Sequence, residues 1–65
     1  MILVNDEPVE HQFGMTVAAL LRDRAYATAM VAVWIDGQIV PRNAYETTLV
    51  NDGVTVEIVL MAAGG

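Results

Sequence analysis

No cysteine occurs among the 65 residues. That excludes disulfides, thiolate metal sites and cysteine nucleophiles, and a small domain without disulfides suits a reducing compartment. Lysine is absent too: the three basic residues are Arg22, Arg24 and Arg42, set against eight acidic ones for a net charge of −5. Nucleic-acid binding needs cations to displace counterions, and an anionic membrane attracts basic patches, so neither partner is expected. The longest apolar run, Ala29 to Ile35, falls well short of the ~20 residues that span a bilayer. The N-terminal stretch holds Asp6, Glu7, Glu10 and His11 instead of the basic-then-apolar layout of a signal peptide. The cytoplasm is the expected location.

Catalytic and ligand chemistry is equally sparse. His11 is the sole histidine; it falls on an expected strand and reads as a partly exposed surface residue without a catalytic role. Asp6, Glu7 and Glu10 belong to a turn and its flank, and their spacing does not match a loop of alternating oxygen ligands for calcium. Gly14, Gly37 and Gly53 are isolated and each punctuates a turn, so no phosphate-cradling loop is present. A chain of this length has little room to enclose a ligand pocket of ~300 Å³ or more. No metal site, no bound cofactor and no enzymatic activity of its own are expected.

What is present is a tightly punctuated pattern of short elements. Met1 to Val4 reads as a strand, stopped by the turn cluster Asn5-Asp6-Glu7-Pro8. Val9 to Phe13 alternates as a returning strand, which makes an N-terminal hairpin. Thr16 is a suitable helix cap, and Val17, Leu20 and Leu21 follow at one-face spacing. The helix is expected through Arg24, and residues 25–30 fit either its continuation or a loop. Val31 to Ile35 is the clearest strand, Asp36-Gly37 a strong hairpin turn, and Gln38 to Val40 the return, ended by Pro41. A polar connection follows, with room for one helical turn around Asn43 to Tyr45. Asn51-Asp52-Gly53 is a second tight turn before the final strand, Val54 to Met61.

Strand, strand, helix, strand, strand, strand predicts an α+β chain of the β-grasp type. Its mixed four- to five-stranded sheet wraps one main helix, and the strand after the helix is expected to run parallel to an N-terminal one. The expected layout is a single domain over 1–61 and a mobile tail over 62–65. Alternation on the last strand puts Val56, Ile58 and Leu60 inside and Thr55, Glu57, Val59 and Met61 outside. Trp34 joins the outer set, so Trp34, Val59 and Met61 form a candidate partner interface leading toward the tail; the alternative places Trp34 beneath the 42–48 connection. The tail itself is Ala62-Ala63-Gly64-Gly65. Two residues without side chains make the thinnest end a chain can present to a narrow tunnel, and what such an end delivers is its terminal carboxylate.

Together these residues resemble the ThiS family of thiamine-biosynthesis sulfur carriers. The resemblance rests on Ile2-Leu3-Val4-Asn5, Gly14-x-Thr16-Val17 with Leu20-Leu21, and above all Val33 to Arg42 with its Val-Pro-Arg segment. Tyr45, Asp52-Gly53 and Gly64-Gly65 complete it, so the resemblance covers the whole chain. It implies a ubiquitin-like β-grasp protein whose Gly65 carboxylate is adenylated by an E1-like, ThiF-type enzyme at the expense of ATP. Sulfur drawn from cysteine through a desulfurase then gives a thiocarboxylate, which a ThiG-type thiazole synthase consumes. Tyr45 stands where the family usually has tryptophan, and Trp34 is bulkier than the residue often found on its strand. A carrier for molybdopterin, cysteine or siderophore pathways is an alternative, as is a β-grasp binding module with an incidental diglycine.

Overall fold

The computed structural model describes residues 1–61. Five strands and one α-helix follow the order β1 (Ile2–Val4), β2 (Glu7–Val9), α1 (Val17–Asp23), β3 (Val31–Ile35), β4 (Gln38–Val40) and β5 (Thr55–Leu60), with short 3₁₀ turns at Thr28–Met30 and Arg42–Ala44. The strands form one sheet in the order β2-β1-β5-β3-β4. β1 runs parallel to β5, and the other pairings are antiparallel. This is the expected β-grasp arrangement with one correction. The parallel partner of β1 is the final strand, not the strand that follows the helix; β3 lies one position further out, antiparallel to β5.

Two hairpins set the register. Asp36 and Gly37 both adopt positive φ (50° and 82°), the combination that joins twisted antiparallel strands through a two-residue turn. Asn5 and Asp6 do the same (49° and 68°), so the first turn is two residues long instead of the four-residue cluster expected. The returning strand is therefore Glu7–Val9, not Val9–Phe13, and Pro8 pairs with Leu3. Val4 and Glu7 flank the turn and exchange its hydrogen bonds, which leaves the nitrogen of Pro8 on the open edge, where a missing donor does no harm.

Thr16 caps the helix: its Oγ1 accepts from the Ala19 amide at 3.1 Å. Val17, Ala18, Leu20 and Leu21 are buried against the sheet, where they meet Ile2, Val4, Val33 and Val56. The helix stops at Asp23 through a paired closure in which the Ala25 amide donates to Arg22 O and the Tyr26 amide to Leu21 O (3.1 and 2.8 Å). This closure needs a left-handed residue after the cap, normally glycine; here Ala25 takes it, at φ 62°. The segment that fitted either helix or loop is thus a loop followed by a 3₁₀ turn. Tyr45 completes the core, and its hydroxyl donates to Val31 O at 3.2 Å. Leu60, assigned inward by alternation, is 65% exposed. The pairing of β1 with β5 ends at Val56, so Leu60 has no strand beside it on that side, while Val31, opposite it on the other side, is only 1% exposed.

Candidate functional site

The site is built around the place where β5 leaves the sheet. Asn5 holds that end: its Nδ2 donates to Ile58 O at 3.1 Å and its Oδ1 accepts from the Ile58 amide at 2.8 Å. The side chain thereby continues the β1–β5 pairing past the point where the main chain of β1 turns away. From the other side the Met61 amide donates to Met30 O at 2.8 Å. At the opposite end of β5, Asp36 plays a similar part, with its carboxylate accepting from the Thr55 amide (2.9 Å) and its own amide donating to Thr55 O (2.8 Å). The strand that leads to the C-terminal segment is therefore clamped at both ends. Ala62, Ala63, Gly64 and Gly65, to which the sequence assigns a mobile tail and the working carboxylate, lie outside the described residues.

The uncovered face of the sheet follows directly from the register. Trp34 stands opposite Ile39 on one side and Glu57 on the other, Ala32 stands opposite Val59, and Leu3 opposite Thr55. Opposed residues share a face, so Trp34, Val59, Leu3 and Ile39 all project away from the helix. Val59 and Met61 are each 48% exposed and Ile39 is 63% exposed, while Trp34 is half-buried. The expected trio lies on or beside this face, and Trp34 is not beneath the 42–48 connection as core. Leu3 and Ile39 were missed. The signal for Ile39 lay in the turn: a two-residue Asp36-Gly37 loop forces Ile39 opposite Trp34. Leu3 sits between Ile2 and Val4, and strict alternation in that strand would have turned it outward.

Beside the face, Ala32, Trp34, Ile39, Pro41, Arg42 and Met61 border an open groove of about 350 Å³. A second groove of about 520 Å³ lies between the β3–β4 turn and residues 48–54 and shares Ile39, Val40 and Pro41 with the first. Both are surface clefts and not closed cavities.

The charges are peripheral. Arg22 pairs with Glu46 at 3.2 Å and Arg24 with Glu7 at 3.7 Å, exposed contacts that contribute at most about 1 kcal/mol each. The N-terminal ammonium pairs with Asp52, and its hydrogen bond holds that carboxyl below the usual carboxylate range. His11 is not on a strand; its Nε2 lies 2.7 Å from Val50 O, so the ring nitrogen donates to the carbonyl and ties down the 10–16 loop. Among the described residues no three metal-binding side chains come together, and no helix is long and apolar enough to cross a membrane.

Comparison with known proteins agrees with this arrangement. A family model described as the ThiS family matches residues 1–65. The chain is 36% identical over 64 residues to the sulfur carrier protein ThiS of Escherichia coli, covering 98% of this chain and 97% of that one. It is 38% identical over 64 residues to a thiazole synthase of Paramagnetospirillum magneticum, of whose length it spans only 20%. The crystal structure of the thiamine biosynthesis protein ThiS from Geobacter metallireducens superposes with a TM-score of 0.80 at 31% identity, covering 98% of this chain and 97% of that one.

Proposed function

The chain belongs to the ThiS family, and on that premise we propose that it carries sulfur for thiamine biosynthesis on the terminal carboxylate of Gly65. A carboxylate oxygen of Gly65 attacks the α-phosphorus of ATP within an E1-like partner, releasing pyrophosphate and leaving an acyl adenylate. A desulfurase passes the sulfur of cysteine to a persulfide, and a thiol reductant supplies the two electrons that release it as hydrosulfide. The hydrosulfide adds to the acyl carbon and expels AMP, giving the thiocarboxylate. A thiazole synthase then takes the sulfur. The chain's own share is to present the acyl group and be recognised. It is the substrate of these enzymes and not a catalyst, and the cytoplasm supplies both ATP and the reducing conditions.

The observation that carries this reading is the match to the family over residues 1–65, which includes Gly64 and Gly65. The structure supports it physically: β5 is clamped at Ile58 by Asn5 and at Met61 by Met30, so a reactive end beyond Met61 starts from a fixed root. The half-buried Trp34 and the exposed Val59 and Met61 lie near that root and serve as the partner interface. The relation to a thiazole synthase supports that enzyme as the acceptor.

The test is pyrophosphate release by the activating enzyme of the same organism, with ATP and this chain. Release that depends on the chain and disappears when Gly65 is deleted is the expected result. Equal release from the Gly65-deleted chain would remove the carboxylate from the mechanism.

A further inference from the structure

Three arginines serve a chain of net charge −5. Two of them face carboxylates of this chain, Arg22 with Glu46 and Arg24 with Glu7. Among the described residues Arg42 is the one arginine with no carboxylate within 4.0 Å. It is exposed on the 3₁₀ turn after β4 and borders the groove walled by Trp34, Ile39, Pro41 and Met61. An exposed cation on an acidic chain, beside an apolar cleft that adjoins the root of the tail, is placed to read something outside the molecule.

We propose that this groove is a recognition site for the thiazole synthase, with Arg42 as the residue that sets its specificity. The cleft receives an apolar side chain of that enzyme, and Arg42 pairs with a carboxylate beside it. The inference rests on the carrier reading above, because delivery of sulfur from Gly65 is what brings the synthase close to Met61. Charge complementarity picks the chemistry of the occupant. The chain carries eight acidic residues against three arginines, and Arg22 and Arg24 already face Glu46 and Glu7, so among the described residues Arg42 is the arginine left uncompensated for a carboxylate on the partner. Arginine suits this role through its planar fork of donors, which takes a carboxylate through paired hydrogen bonds. Trp and Arg are also the residue types that most often dominate interface energetics.

The experiment titrates the unactivated chain into the thiazole synthase of the same organism and reads Kd at several salt concentrations. Circular dichroism melting serves as the control for folding. Arg42→Glu is expected to weaken binding about tenfold or more, and Arg42→Gln to flatten the salt dependence seen with the native chain, since a lost ion pair removes a screened attraction. Arg42→Lys is expected to fall between native and Gln, keeping the charge but not the fork. Trp34→Ala, which opens the cleft without touching the charge, should weaken binding while keeping the native salt slope. Native-like affinity of Arg42→Glu in a folded chain would overturn the proposal even where the native chain binds. Loss in Trp34→Ala alone, with Arg42 indifferent, would likewise remove the carboxylate partner. Failure of the native chain itself to bind would overturn this inference with it, but pyrophosphate release would still report on the carrier reading separately.

Discussion

Replacing Asn5 tests the claim that a side chain holds the end of the last strand. Its amide makes hydrogen bonds of 3.1 and 2.8 Å to the carbonyl and amide of Ile58, a residue only 5% exposed. Removing one partner of a buried hydrogen bond costs about 1–3 kcal/mol, and this site is only part-buried, so the lower end applies to each and the pair is worth about 2 kcal/mol. Asn5 also stands at φ 49°, where alanine is strained by roughly another 1 kcal/mol and glycine is not. Asn5→Ala is therefore expected to lose about 3 kcal/mol and Asn5→Gly about 2, with glycine's greater freedom in the unfolded chain narrowing the gap. A domain of 65 residues holds roughly 3–10 kcal/mol in total, so the loss is a large fraction of stability and is best read at low temperature. Urea unfolding followed by the fluorescence of the single tryptophan, Trp34, supplies the measurement. Hydrogen exchange at the Ile58 amide localises the change to β5. Both variants staying within about 0.5 kcal/mol of the native chain would refute the clamp.

Tyr45→Phe leaves the Val31 carbonyl without its 3.2 Å donor in the core and should cost about 1–2 kcal/mol in the same unfolding assay; no change would mean that the bond is not made. Ala25→Gly relieves a left-handed alanine at φ 62° and should leave stability unchanged or raise it by up to about 1 kcal/mol, with a clear loss contradicting the helix closure described here. Asp52 has its pKa lowered from 3.8, first by the hydrogen bond from the N-terminal ammonium. Its contact therefore stabilises the fold above the unfolded value and is lost as pH falls through the folded one. Asp52→Asn should reduce the drop in melting temperature between roughly pH 5 and pH 2, and an undiminished drop would show that the contact does not titrate with folding.

Much of the fold was legible because turns announce themselves chemically. Asp36-Gly37 fixed β3 and β4 and, through their register, the neighbours of Trp34. The first hairpin was harder: Asn5 and Asp6 take up positive φ without a glycine, and Pro8 looked like part of the turn because its place on an edge strand depends on pairing that no local pattern reveals. The helix end was illegible for the same reason, since Ala25 occupies a conformation that glycine would have advertised. The site divided along similar lines. Trp34, Val59 and Met61 followed from alternation, whereas Ile39 needed hairpin register and Arg42 needed the pairing of the other two arginines, both tertiary facts. The role of Asn5 depends on a contact across 53 positions, beyond the reach of any sequence window.

The central claim concerns Gly65, and intact-mass spectrometry tests it most directly. The chain is incubated with the activating enzyme of its own organism, ATP, cysteine, a desulfurase and a thiol reductant, then weighed whole and fragmented from the C-terminus. The account predicts a mass gain equal to exchange of one oxygen for sulfur, localised to Gly65 and absent when Gly65 is deleted. An unchanged mass with a cognate enzyme that is active on another carrier, or a sulfur found at any other residue, would contradict it.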